Sequence, residues 1–151
     1  MPSGRSASSD APGLGASVPT PVGHAIGGLA AGWLVAGASD VEPGRATWRR
    51  ASTLAVAGIV ADVDLLVGLH SQYSHSIGAA ALVFFLAFGL TRTHPRRGTL
   101  AAAVAAAYGS HLLLDWLGQD ATPPFGLMAL WPFSREFFLS HADVFQGVSR
   151  E

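Results

Sequence analysis

Cysteine and lysine are both absent from this 151-residue chain. Without cysteine there is no disulfide framework, no thiolate zinc site and no thiol nucleophile. Without lysine there is no Schiff-base or P-loop lysine chemistry, and every basic residue is an arginine. Charge of either sign is scarce: 13% of residues are charged, against about 25% in an ordinary soluble domain. The formal net charge of −1 gives no basic field for a nucleic-acid backbone, so no nucleic-acid partner is expected. No H-E-x-x-H, G-x-S-x-G or P-loop motif occurs. What is plentiful is apolar: half of the residues are hydrophobic, in a chain sized for one domain. Histidines and carboxylates must carry any chemistry.

Residues 1–20 are rich in Ser, Ala, Gly and Pro with no apolar period, and read as a flexible tail, as do residues 146–151. Between them, residues 21–145 read as one membrane-embedded helical domain. It has four apolar stretches, Val22–Ala38, Ser52–Leu69, Ser76–Leu90 and Gly98–Leu117. A bilayer crossing takes about 20 residues. The fourth stretch fits, the first two fit marginally and the third is short. A soluble four-helix bundle accommodates such lengths but needs a polar outer face, which these runs lack. The expected fold is therefore all-α, a polytopic membrane bundle of about four transmembrane helices with an interfacial C-terminal segment. Gly23, Gly27, Gly28 and Gly32 stand at small-xxx-small spacing, which suits close helix contact rather than phosphate binding. The C-terminal segment carries Phe125, Trp131, Phe133, Phe137, Phe138 and Phe145, suited to the headgroup zone as an anchor or as a cap over a site.

Arginine placement implies a topology. The connection 39–51 holds Arg45, Arg49 and Arg50, and the connection 91–97 holds Arg92, Arg96 and Arg97. A four-span path puts both on one side, which the positive-inside rule makes the cytoplasm. His24, Asp62, Asp64, His70, His75, His111 and Asp115 then fall toward the opposite, extracytoplasmic face. Each has a bland reading: interfacial aspartates, a single buried pair between His111 and Asp115 at i, i+4, or a lone structural histidine. All those readings must hold together, on one side of the membrane. A shared site explains the set more simply.

Imidazole and carboxylate donors suit Zn²⁺, Mn²⁺ or Fe²⁺. Asp62 and Asp64 lie about 200° apart on an ideal helix, so three arrangements stay open. The helix unwinds there, with Gly58 and Gly68 helping; or each aspartate serves a different ion; or one of them supports a histidine. Asp120, beyond the fourth stretch, is either a further ligand or a turn former.

At these residues the chain resembles the YdjM-like family, described as membrane-bound metal-dependent hydrolases. The resemblance rests on Gly23-His24, Asp62-Val63-Asp64, His70-Ser71-Gln72-Tyr73-Ser74-His75-Ser76, Tyr108 to Asp115, and Leu130-Trp131-Pro132-Phe133-Ser134, in that order. It implies metal-binding or catalytic roles for His24, Asp62, Asp64, His70, His75, His111 and Asp115. Two departures stand out. Ala61 replaces the proline common before the first aspartate, which weakens the expected helix break. Ser71-Gln72 replaces an Arg-Gly, which removes a bidentate partner for a phosphate or carboxylate.

The resulting expectation is an inner-membrane, multi-pass hydrolase with its site on the extracytoplasmic side. A divalent transition metal, Zn²⁺ first and Mn²⁺ or Fe²⁺ next, would be held by His24, Asp62, His75, His111 and Asp115. Asp64 or His70 would act as general base or leaving-group acid. The expected partners are membrane lipids and a small-molecule or lipid-linked ester or phosphoester. The competing expectation is a metal-binding, transport or regulatory membrane protein without turnover.

Overall fold

The computed structural model describes residues 21–37, 44–67, 71–118, 125–140, 142 and 144. Within them the chain forms four α-helices, α1 (Pro21–Ala36), α2 (Arg45–Ile59), α3 (Ile77–Leu90) and α4 (Arg97–Leu117), with a 3-10 helix at Val60–Val67 between α2 and α3. The all-α expectation holds. Helix α4 is the hub and packs against each of the other three, while α1 also packs on α2.

Helix α4 is the one described helix long and apolar enough to cross a bilayer. Its 21 residues reach about 31 Å, matching a hydrocarbon core of about 30 Å. Helices α1 and α3 are apolar but shorter. By length and apolar composition one described helix qualifies as a crossing, where four were expected. Helix α3 is apolar throughout, and none of its residues is buried among the described residues. That composition suits an acyl-chain environment better than water.

The second stretch departs from expectation at both ends. Arg45, Arg49 and Arg50 are not in a connection but in the first turns of α2. After Gly44 the stretch Arg45-Ala46-Thr47-Trp48-Arg49-Arg50-Ala51 holds no glycine or proline, and its arginines and alanines are good helix formers. At the other end α2 stops at Ile59 and continues as 3-10 helix through both aspartates. Here Ile59, Val60 and Val63 are β-branched and Asp62 is a poor helix former, so the α-helix is weak where Ala61 stands. The helix does unwind, but it does not bring both aspartates to one point: Asp62 joins the donor cluster and Asp64 supports His75, the third of the arrangements left open. The tail 1–20 lies outside the described residues, as do Gly68, His70, Asp120 and Phe145.

Glycines set the helix spacing. A Cβ on Gly58 would lie 2.4 Å from the His24 carbonyl oxygen and 3.0 Å from the Gly28 Cα. The two backbones cross in contact, which only a pair lacking side chains allows. Gly32 takes the Leu54 side chain in the same way, and Leu54, Ala57, Ala103 and Ala107 form the small buried core beside it.

The segment 125–140 folds back on the connection before α3. The Ile77, Gly78 and Met128 amides donate to the Ala129, Trp131 and Ser71 carbonyls. Leu127 and Phe138 form an isolated antiparallel bridge, and Leu127 and Met128 are buried. Ser76 caps α3, its hydroxyl accepting from the Ala79 amide at 3.1 Å. These bonds pin the turn 71–76, which carries His75.

Candidate metal centre

Four residues from three separate pieces of chain meet at one end of the bundle. Asp62 comes from the 3-10 helix, His75 from the turn before α3, and His111 and Asp115 from the last turns of α4. Each offers a ligand atom, and those atoms all lie within 4.8 Å of one another. His75 Nε2, His111 Nε2 and Asp115 Oδ2 form a triangle with all three sides at 3.1 Å. Asp62 Oδ1 lies 3.5 Å from His111 Nε2 and 3.9 Å from His75 Nε2. The two imidazoles are fully buried.

The outward nitrogens of both rings are already used. His111 Nδ1 is 2.8 Å from the Gly58 carbonyl oxygen, which can only accept, so Nδ1 carries the proton. His75 Nδ1 is 3.0 Å from Asp64 Oδ2, and a carboxylate likewise accepts. Both neutral rings therefore turn bare Nε2 lone pairs toward each other and toward a carboxylate oxygen. Three acceptors at such range repel one another unless a cation or a proton lies between them. The chemistry of the set fits a metal: four tetrahedral donors about 2.0–2.1 Å from one ion stand roughly 3.3–3.4 Å from each other, close to the spacings here.

A second layer holds the four in place. Asp64 accepts from the Ser74 hydroxyl as well as binding His75. Tyr108, one turn of α4 before His111, donates its hydroxyl to the Ser74 carbonyl. His24 Nε2 sits 3.1 Å from Asp115 Oδ1, and its ring stacks on His111 with centroids 3.9 Å apart. His24 thus stands one step behind the four, contacting them through Asp115, where the sequence reading counted it as a ligand. Its Nδ1 is buried and finds no hydrogen-bond partner among the described residues. Asp64 likewise backs a ligand. His70 and Asp120 lie outside the described residues.

Sequence reasoning did not single out Gly58 or Ser74 for the site. The signals were present: Gly58 is the one glycine in the second apolar stretch before the aspartates, and Ser74 and Ser76 flank His75 in a short polar run.

His75 lies outside the helical spans. Burial alone would push its pKa down, but the Asp115 and Asp64 carboxylates outweigh that and raise it. In the metal-free protein the bound proton stabilises the fold below the ordinary imidazole pKa, and that contribution is lost as pH rises through the raised value. A metal must displace the same proton. Metal affinity is thus expected to rise with pH, by about tenfold per unit for one displaced proton, and to level off above the raised pKa. Equilibrium dialysis across the titration of His75 measures this; a flat profile beginning at or below the ordinary imidazole value of about 6.5 contradicts it.

No curated protein and no solved structure matches the chain. A family model described as YdjM inner membrane protein matches residues 20–148, spanning every residue placed at the centre. The chain belongs to the YdjM inner membrane protein family.

Proposed function

We propose that this protein is a multi-pass, metal-dependent hydrolase of esters or phosphoesters, lipid-linked ones included, acting at the outer face of the inner membrane. The observation that carries the reading is the triangle of bare donors, His75 Nε2, His111 Nε2 and Asp115 Oδ2, with 3.1 Å sides. Mixed nitrogen and oxygen donors favour a divalent transition ion, Zn²⁺ first and Mn²⁺ or Fe²⁺ next. When bound, such an ion supplies Lewis acidity and lowers the pKa of a water toward neutrality.

The chain's own groups divide the remaining work. His75, His111 and Asp115 would hold the ion and leave a position for water, which Asp62 borders at 3.5 Å from His111 Nε2 and 3.9 Å from His75 Nε2. The Gly58 carbonyl and Asp64 fix which nitrogen of each ring faces the ion, and His24 fixes Asp115. We assign Asp64 an orienting role, in place of the general-base or leaving-group-acid role expected of it or of His70. Asp62, with 24% of its side chain exposed, is more open to solvent than Asp64 or Asp115, and we assign it the proton of the attacking water. His70 is the sequence's candidate for protonating the leaving group.

Orientation rests on charge. Residues of the arginine-bearing end of α2 line one cavity with Thr91 and His94 of the α3–α4 connection, so these basic segments share one end of the bundle. The positive-inside rule faces that end to the cytoplasm and the centre outward. Helices α1 and α3 reach about 24 and 21 Å, and cross with local thinning of the bilayer. A transport path needs polar groups through the whole depth. Thr53–Gly58 and Leu82–Leu90 are almost wholly apolar, which favours turnover over transport.

The test is elemental analysis of the detergent-purified protein, followed by assays on carboxylic-ester and phosphodiester substrates. Stoichiometric transition metal and metal-dependent turnover are expected, with Asp62→Asn slower by about a hundredfold or more. Bound metal with no turnover, together with uptake of that metal into vesicles, would favour the transport reading instead.

A further inference from the structure

At the end of the bundle away from the metal centre lies a cavity of about 420 Å³ between α1, α2, α4 and the α3–α4 connection. Its volume falls in the range of about 300–1,000 Å³ typical of small-molecule sites. Its lining is graded. Leu54 and Ala103 are buried at its floor, and Trp33, Leu100 and Val104 add apolar wall. Arg49 and Arg50, which also line it, are exposed. Among the described residues no carboxylate forms an ion pair with either guanidinium. His94 stands on the same wall, its Nδ1 accepting from the Arg96 amide at 3.1 Å.

An apolar floor beneath two cationic side chains matches a ligand with an anionic head and a hydrocarbon tail. We propose that this cavity binds one anionic phospholipid, its phosphate on Arg49 and Arg50 and an acyl chain against Leu54, Leu100 and Val104. Charge complementarity selects the head, because the guanidinium fork pairs with phosphate oxygens in a bidentate manner. Location selects the source, because a basic pocket between helices of an inner-membrane protein sits at headgroup level. The site shares no residue with the metal centre. Lipid binding and metal binding are therefore separable.

The full chain, purified in detergent, is tested by native mass spectrometry with added phosphatidylglycerol, phosphatidylcholine or inorganic phosphate. Phosphatidylglycerol is expected to bind at least tenfold more tightly than phosphatidylcholine, with inorganic phosphate failing to displace it. Arg49→Gln with Arg50→Gln is expected to weaken phosphatidylglycerol binding by about tenfold or more while leaving metal content unchanged. Val104→Trp, which fills the cavity, is expected to exclude the lipid; circular dichroism and gel filtration identify a variant that has merely failed to fold. Equal binding of the two lipids, or unchanged affinity in the double arginine variant, overturns the proposal. Displacement by inorganic phosphate alone also overturns it, since the tail would then contribute nothing.

Discussion

His111→Ala is expected to abolish stable metal binding. The imidazole is fully buried and contributes one corner of the donor triangle. Loss of a group that merely orients a ligand costs 10–100-fold in metal affinity, so loss of a ligand itself should exceed about a hundredfold. Asp64→Asn, which disturbs His75 from behind, should fall within that smaller range. Thermal unfolding reads the same difference independently of any substrate. Saturating metal stabilises a binding-competent fold by about 2.7 kcal/mol at a hundred times the dissociation constant. Wild type should show that gain, Asp64→Asn a reduced one and His111→Ala none at the same metal concentration. The variant also leaves the Gly58 carbonyl without its imidazole partner, a cost of about 1–3 kcal/mol in the metal-free protein. Equal metal content in wild type and His111→Ala would remove the basis for a metal centre here.

Gly58→Ala should be the most damaging single-methyl change in the bundle. The new Cβ would sit 2.4 Å from the His24 carbonyl oxygen and 3.0 Å from the Gly28 Cα. Both obstacles are backbone, so no flexible side chain can move aside, and α1 must part from α2. Overpacking of this kind costs about 1–3 kcal/mol. The damage reaches the metal centre as well, because the Gly58 carbonyl fixes His111 and the displaced stretch of α1 carries His24. Metal affinity is expected to fall at least tenfold alongside the melting temperature. Gly109→Ala is the control. Its added Cβ meets nothing within 4 Å, and alanine is the better helix former by about 1 kcal/mol, so stability should hold or rise. If both variants behave alike, the close crossing does not support the centre.

The helical class, the approximate positions of all four apolar segments and the separation of arginines from the histidine–aspartate set were legible in the sequence. Apolar run length and charge placement are local properties, readable without knowing the fold. The start of α2 was misplaced because arginine reads equally well as a connection or as a helix turn; only the helical hydrogen bonding from Arg45 onward decides. The fate of Asp62 and Asp64 was open for a similar reason. Their residue types permit ligand, base or support alike, and the 3-10 turn sends one to the donor cluster and the other to the far nitrogen of His75.

From the residue order alone follow an apolar helical chain, its membership of a membrane family and a pool of imidazoles and acids able to grip a cation. Which of them face one another depended on the packing of α1 and α2 about α4 and on the turn that carries His75. The reason is geometric. A coordination site is defined by a few ångströms between atoms of distant segments, and only the contact of Gly28 with Gly58, and the hydrogen bonds that hold each ring, set distances that short.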